Sequence, residues 1–344
     1  MKKVSIWVVI FIVIMFFGFQ QVNAQERIQD AKVSLKNINE FYVGNTDKQS
    51  LIHSYIPMES NKTPVIMLPG LGLGANIYKS TPDGRNGWVY DFLAASYPVY
   101  TVDTSDLASA GITKTEANGS LTKWNSQMIW SRWGLGPQPN QSYPEGKFPV
   151  NSFEQFDSSI PMRISVQTSG QQKGSSKNIK DKEDNETESE KLRTKKGQGN
   201  RFGVSQQEVA NMIQLLEKTG PSILVIHSMG GEIGYEVTRQ RPDLVEGIVA
   251  IEPVGSPTDK EEIKEIFSKI PYLGVYGDYL KSRNQIGRLE AVKKTTQLIN
   301  ENGGQAEVLR LTEKGINGNS HLMMIDKNNH QIASLIIKWL NEKN

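Results

Sequence analysis

The sequence predicts a three-layer α/β fold with a mainly parallel sheet of roughly eight strands and helices on both faces. Short aliphatic runs such as residues 64–68 are apolar throughout, which is typical of strands buried on both faces. Amphipathic helical patterns alternate with these runs, which favours right-handed crossovers between parallel strands. The 344 residues, 37% of them hydrophobic, are enough for one large α/β domain or two small ones.

The elements are predicted in the following order. Residues 33–57 form an antiparallel pair at an edge of the sheet. The first parallel strand ends at Leu68 and opens into the glycine-rich loop 69–74. After a long interruption, Ser205 and Glu208 form a capping box that begins a helix. The other elements are a helix from Trp88, strand 97–103, strand 222–227, helix 230–241, strand 247–251, helix 261–269, strand 272–276, helix 286–302, strand 306–311 and a C-terminal helix.

The N-terminus predicts export. A basic start is followed by the apolar run 6–19 and by small residues that end at Ala24. The run is shorter than the roughly 18 to 20 residues that span a bilayer, so we interpret residues 1–24 as a signal peptide. The short basic leader indicates bacterial export. The mature protein, residues 25–344, is expected to be periplasmic or secreted and to keep no membrane span.

The composition argues against several classes of function. The chain has no cysteine, which excludes disulfides, thiolate metal sites and a cysteine nucleophile. A formal net charge of +2, without a basic stripe interleaved with aromatic residues, gives no indication of a nucleic-acid partner. The candidate ligands for a metal are scattered, and no motif implies an organic cofactor, so no cofactor is expected.

The alternation of strands and helices is interrupted between about residues 107 and 203. Residues 168–200 have almost no apolar side chain, so we expect them to be disordered, because they cannot bury enough surface to offset the entropy of ordering. The earlier part is irregular and aromatic. Its aromatic residues are expected to pack the insertion onto the sheet, and lining a substrate pocket is the alternative. They are Trp124, Trp130, Trp133 and Phe148.

Ser228 is the candidate nucleophile. It follows the buried strand 222–227 and precedes Gly230 and Gly231, which is typical of a sharp strand-to-helix turn that lifts a serine hydroxyl above the sheet. The match is partial, because Ile226 stands where this turn usually has glycine. The alternative is a serine that caps an ordinary βα turn.

Further candidates follow later strands, so they fall at the same carboxyl edge, where open parallel sheets bind ligands. A serine hydroxyl needs an imidazole to accept its proton. His321 lies in the Gly/Asn-rich loop 315–321, which we expect to be flexible enough to swing over the serine. The imidazole needs a carboxylate in turn, and both Asp278 and Glu252 are candidates.

Backbone N–H groups are expected to bind the negative charge that develops on an acyl oxygen. One such donor is worth roughly 3 to 4 kcal/mol to the transition state. The residue after the nucleophile, Met229, is the first candidate. The second comes from the loop after the first parallel strand, where Leu71 is preferred and Gly72 is next.

Several short segments together carry a resemblance to a known family. They are Leu68-Pro69-Gly70, Thr81-Pro82-Asp83-Gly84-Arg85 with Gly87-Trp88, the strand 97–103, Phe148-Pro149-Val150, His227-Ser228, Ile251-Glu252-Pro253 and Asn319-Ser320-His321. Across nearly all of the mature sequence the chain resembles the α/β-hydrolase superfamily. More narrowly, it is similar to a branch of bacterial secreted serine esterases.

The resemblance implies a Ser228–Glu252–His321 triad, with Glu252 rather than Asp278 as the acid. It also implies hydrolysis of small-molecule carboxylic esters through an acyl-enzyme. The chain departs from the family pattern at Pro69, where a histidine is common. The alternatives are a ligand-binding protein that has lost turnover, or an amidase or acyltransferase with the same triad. The sequence indicates neither the acyl-chain length of the substrate nor the oligomeric state.

Overall fold

A computed structural model describes residues 32–45, 48–112, 121–164 and 205–343. The predicted signal peptide, residues 1–24, and the predicted disordered segment, residues 168–200, lie outside the described residues. Within those four segments, every helix is too short or too polar to cross a bilayer.

The main sheet of the described chain has eight strands in a continuous path, and this confirms the predicted fold class. The strands are β1 Leu35–Val43, β2 Lys48–Pro57, β3 Val65–Leu68, β4 Val99–Asp103, β8 Ser222–His227, β9 Val245–Ile251, β10 Tyr272–Tyr276 and β11 Ala306–Arg310; the short β5, Gly111–Ile112, pairs with β2 off this path. Their spatial order is β1-β2-β4-β3-β8-β9-β10-β11. The pairs β1–β2 and β2–β4 are antiparallel, and the pairs from β4 to β11 along the path are parallel.

Helices cover both faces of the sheet because its strands bury apolar side chains on both sides. The helices outside the insertion are α1 Asn76–Lys79, α2 Trp88–Ala94, α5 Gln206–Thr219, α6 Gly230–Gln240, α7 Lys260–Glu265, α8 Ile286–Glu301 and α9 Asn329–Lys343. One hydrophobic core lies between the sheet and helices α2 and α9. The other lies between the sheet and helices α5, α6 and α8. Half of the predicted capping box is present, since the Ser205 side chain accepts the N–H of Glu208. The Glu208 carboxylate instead accepts the Ser105 N–H (2.7 Å) and the Ser50 hydroxyl (3.0 Å).

The described part of the insertion is more regular than the sequence predicted. It contains α3 Ser126–Trp133, α4 Phe153–Ser159 and the antiparallel pair β6 Leu121–Thr122 and β7 Arg163–Ile164. The N-cap of α3 is Asn125, and the helix ends at Gly134, whose φ of 67° a residue with a Cβ adopts poorly. Trp130, Trp133 and Phe148 are buried in the same hydrophobic core as side chains of β3 and β8, in line with the predicted packing of the insertion onto the sheet. They also contact aromatic rings within the insertion.

Candidate active site

Ser228 lies in a strained turn at the carboxyl end of β8. Its φ of 51° is in the left-handed region, which a residue with a side chain adopts at a cost in energy. The surrounding backbone holds this conformation. The Ser228 N–H donates to the carbonyl of Ile251 (3.0 Å), and its carbonyl accepts the N–H groups of Gly231 (3.0 Å) and Val254 (2.8 Å).

Glycines let the neighbouring segments approach this turn. A Cβ on Gly70 would lie 2.8 Å from the Cβ of Ser228, and one on Gly230 would lie 2.7 Å from the carbonyl oxygen of Pro69. Both distances are shorter than real Cβ contacts. The loop after β3 therefore reaches the serine because both positions lack a side chain.

The structure also explains why Ile226 is tolerated two residues before Ser228. A Cβ on Gly234 of α6 would lie only 2.5 Å from the Cγ2 atom of Ile226. The space that a glycine before the nucleophile usually provides is here provided by a glycine on the helix. The departure from the motif is thus compensated one turn into α6.

His321 contacts Glu252, which follows β9. The Nδ1 atom of His321 lies 2.6 Å from Oε2 of Glu252, and both side chains are almost fully buried. Burial by itself raises the pKa of Glu252, but the charge of Arg283 and the hydrogen bond from His321 lower this pKa to about 2. An ionised carboxylate can only accept hydrogen bonds, so Nδ1 carries the proton and Nε2 carries the lone pair.

Burial lowers the pKa of His321 to about 4, although the hydrogen bond to Glu252 and the charge of Glu252 act in the opposite direction. The imidazole is therefore neutral at pH 7. A neutral imidazole whose Nε2 has a lone pair can accept a proton from a hydroxyl group.

Residues 318–321 of the loop that carries His321 are buried and hydrogen-bonded, which is at odds with the predicted flexibility. Asn319, Ser320 and His321 are each at most 1% exposed. Asp326 accepts the Ser320 N–H (2.8 Å), the Ser320 hydroxyl (2.8 Å) and the Asn319 amide (3.0 Å). Gly318 and Asn319 thus belong to a buried hydrogen-bonded segment, whereas Gly315 and Asn317 of the same loop are exposed. Burial raises the pKa of Asp326 to about 6.

His227 and Trp133 hold the backbone of His321. Nε2 of His227 lies 3.0 Å from the carbonyl oxygen of His321, and the His321 N–H donates to the carbonyl of Trp133 (2.9 Å). The rings of His227 and His321 lie 4.5 Å apart, between centroids. The imidazole of His321 is therefore packed against the residue that immediately precedes Ser228. No motif in the sequence indicated this role for His227.

Asp278, the alternative acid, contacts the backbone of the same loop. Its carboxylate accepts the N–H groups of Gly318 (3.0 Å) and Tyr279 (3.1 Å), and its own N–H donates to the carbonyl of Asn319 (2.8 Å). Glu252 is the carboxylate that is hydrogen-bonded to the His321 ring. The two candidates thus occupy different places around one loop.

The two candidate oxyanion donors lie on segments that meet at Ser228. Leu71 is in the turn that Gly70 closes with Leu73, and its carbonyl accepts the indole N–H of Trp124 at 2.9 Å. Within the described part of the chain, the N–H groups of Leu71 and Met229 donate to no backbone carbonyl. Both groups can therefore bind an external oxygen. Gly72, the next candidate, has a φ of 68°.

Sequence reasoning assigned no role to Arg85, although it lies in one of the quoted segments. Its Nη1 atom donates to the side chain of Asn329 (2.6 Å) and to the carbonyl of Asp326 (3.1 Å), and Nη2 donates to the carbonyl of Ile325 (3.2 Å). Arg85 therefore ties the first half of the chain to the segment that fixes the His321 loop. Arg283, which contacts Glu252, was missed because it lies in a polar loop without a motif.

The described residues contain no cluster of three or more His, Asp or Glu side chains that could hold a metal ion. The groups that this edge of the sheet presents include a hydroxyl, a neutral imidazole, an ionised carboxylate and backbone N–H groups.

Comparison with known proteins supports the fold. No protein-family model matches the chain. A probable secreted lipase, phiG, from a fungus (Fungal sp., strain ATCC 74256) is 24% identical over 370 residues, which cover 88% of this chain and 89% of that protein. The atomic-resolution structure of a novel bacterial esterase superposes with a TM-score of 0.72 at 22% identity, covering 91% of this chain and 98% of that chain. The chain therefore has the α/β-hydrolase fold.

Proposed function

We propose that the chain is a serine hydrolase that cleaves carboxylic esters through an acyl-enzyme. In this proposal Ser228 is the nucleophile, His321 is the general base and then the general acid, and Glu252 orients the imidazole. The N–H groups of Leu71 and Met229 bind the oxyanion. The observation that carries the proposal is the buried 2.6 Å contact between His321 Nδ1 and Glu252, beside the strained turn of Ser228.

The first half of the reaction forms the acyl-enzyme. Nε2 of His321 accepts the hydroxyl proton of Ser228 while Oγ bonds to the carbonyl carbon of the ester, whose oxygen becomes an oxyanion. The N–H groups of Leu71 and Met229 stabilise that charge. The tetrahedral intermediate then collapses, and the imidazolium gives its proton to the departing alkoxide, which leaves as the alcohol.

The second half releases the acid. His321 accepts a proton from a water molecule, whose oxygen attacks the acyl carbon, and a second oxyanion forms in the same place. When this intermediate collapses, the proton on His321 returns to the Ser228 oxygen. In both halves the ionised Glu252 stabilises the imidazolium, and it does so strongly because the pair is buried.

Export and the ester class have separate support. The fungal relative is named a probable secreted lipase, and residues 1–24 have the pattern of a signal peptide, so we propose that the mature protein is exported. The similarity of this chain to a structure named as an esterase and to a relative named as a lipase favours esters as its substrates. Acyl-chain profiling with p-nitrophenyl esters, compared with the matching anilides, would test the preference for esters over amides.

Labelling by a fluorophosphonate tests the nucleophile. We expect one probe molecule per wild-type chain and no labelling of the Ser228→Ala variant. Ser334→Ala is the matched control, because the Ser334 hydroxyl donates to the carbonyl of His330 within α9. Its labelling should equal that of the wild type. A folded wild-type protein that is not labelled and hydrolyses no ester would support the binding-protein alternative.

A further inference from the structure

The carboxylate of Glu252 has a second charged partner besides His321. Arg283 Nη2 lies 2.8 Å from Oε2, the oxygen that contacts the imidazole, and 3.0 Å from Oε1. The N–H of Gly277 also donates to Oε1, at 3.0 Å. Both carboxylate oxygens are therefore held, and their hydrogen bonds fix the plane of the group relative to His321.

The guanidinium of Arg283 is itself fixed from several elements. Its side chain is fully buried. Nη1 donates to the side chain of Gln285 (2.8 Å), which precedes α8, and Nη2 also donates to the carbonyl of Asp278 (3.0 Å), which follows β10. The insertion covers it closely, since a Cβ on Gly134 would lie 2.8 Å from its Cδ. A guanidinium held in this way can orient the carboxylate that it binds, because its N–H groups have a fixed planar geometry.

A buried ion pair contributes little net stability, because removing two charges from water offsets their attraction. Replacement of such a pair by apolar residues is often neutral or favourable for folding. The position of this pair, one carboxylate oxygen away from the imidazole, therefore suggests a role in the chemistry rather than in stability.

We propose that Arg283 is a positioning residue for the hydrolysis: it holds the Glu252 carboxylate against Nδ1 of His321. This inference depends on the proposed function. Arg283 touches neither the substrate nor the reacting atoms in this scheme and acts through Glu252.

The charges give the expected direction. Burial would raise the pKa of Glu252, and Arg283 is the largest opposing influence, so the carboxylate stays ionised. The same positive charge also lowers the pKa of His321, in addition to the effect of burial. Without Arg283, the Glu252–His321 pair would bind a proton at higher pH, whichever of the two residues carried it. The other ionisable groups that face the pair are His227 at the end of β8, Tyr276 in β10, Asp278 after β10, Arg288 in α8 and Asp326 after the His321 loop.

The pH profile of kcat/KM for a p-nitrophenyl ester tests the proposal. For Arg283→Gln we expect the acid limb to move upward by about 1 pH unit or more, and the plateau to fall at least about tenfold. Arg239→Gln is the matched control, because Arg239 also forms ion pairs in a largely buried place, with Glu236 and Glu262 on helical segments. Its acid limb should coincide with that of the wild type.

Arg283→Lys separates charge from geometry and covers the case in which the glutamine variant fails to fold. A lysine keeps the charge, so the acid limb should stay within about half a pH unit of the wild type. A point charge cannot bridge Gln285, Asp278 and both oxygens of Glu252, so the plateau should still fall. An unchanged plateau in this variant, or an unmoved acid limb in a folded Arg283→Gln variant, would overturn the role of Arg283.

Failure of the proposed function gives a different result. In that case the wild type itself is neither labelled at Ser228 nor active on esters. The role of Arg283 is overturned when the wild type is active and labelled but Arg283→Lys leaves the plateau in place or a folded Arg283→Gln variant leaves the acid limb in place.

Discussion

Two buried imidazole–carboxylate pairs in the described part of the chain, both formed through Nδ1 of the histidine, have similar geometry and different surroundings. Nδ1 of His321 lies 2.6 Å from Glu252, and Nδ1 of His330 lies 2.8 Å from Asp91. Arg283 overcomes the effect of burial on Glu252, whose pKa falls to about 2. At Asp91 burial prevails over the hydrogen bond from His330, and the pKa is raised.

The location of the two pairs differs as well. Glu252 and His321 come from the carboxyl edge of the sheet, beside Ser228. Asp91 is in α2 and His330 is in α9, so their pair joins two helices that cover one face of the sheet. The comparison teaches that a short His–carboxylate contact does not by itself identify a catalytic pair. The neighbouring Ser228, the proposed nucleophile, and the third charge, that of Arg283, distinguish the two.

Removal of the charge of each carboxylate should give the largest difference in kcat/KM between the two pairs. Glu252→Gln is expected to lower kcat/KM for an ester roughly 10³- to 10⁴-fold, because the amide neither fixes the tautomer of His321 nor stabilises the imidazolium. Steady-state kinetics at pH 7 measures this loss. Circular dichroism would check that the variant is folded.

Asp91→Asn is the matched substitution in the other pair. We expect kcat/KM to stay within about threefold of the wild type and the free energy of unfolding to fall by about 1 to 3 kcal/mol, because a buried hydrogen bond to a charged group is weakened. Chemical denaturation measures the second quantity. Equal losses of activity in the two variants would contradict the distinction between the pairs.

Asp278→Asn tests which carboxylate serves the ring of His321. Asp278 accepts two backbone N–H groups of the segment around that loop, and an asparagine oxygen can still accept one of them. We expect a loss of kcat of about tenfold at most, far smaller than for Glu252→Gln. The opposite ranking in kcat would mean that Asp278 is the acid.

The pH dependence gives the smallest effect and has opposite signs for the two pairs. Burial lowers the pKa of His321 from 6.5 to about 4, so the unfolded chain binds more protons between these values and stability falls as the pH falls through this window. The raised pKa of Asp91 has the reverse effect: its contribution is full below 3.8 and is lost as the pH rises through the raised value.

Thermal unfolding over the range from about pH 4 to about pH 7 measures these two contributions. The His321→Asn variant should lose less stability on acidification than the wild type, and Asp91→Asn should lose more. For the wild type, the acid limb of kcat/KM should also lie below pH 6.5, since His321 acts in its neutral form. An acid limb above that pH would show that burial does not lower the pKa of the His321 imidazole.

Much of the fold followed from local patterns. Three such patterns are the apolar run that became β8, the N-cap Ser205 and the amphipathic last helix. Each specifies its own element because the side chains that decide it are near one another in the sequence. The positions of Ser228 and Glu252 at strand ends followed from the same patterns. The insertion was predicted less well. Its helices α3 and α4 are short and depend on contacts between aromatic residues far apart in the sequence, such as Trp133 with Phe156.

The sequence by itself determined the order of the strands and helices and the residue types at the carboxyl edge of the sheet. Tertiary structure decided which of these residues meet. His321 reaches Glu252 across 69 positions of the chain, Arg283 reaches it across 31, and Gly234 accommodates Ile226 on another element. Such contacts depend on strand order and on how buried loops satisfy their polar groups, and neither is encoded in a local window of sequence.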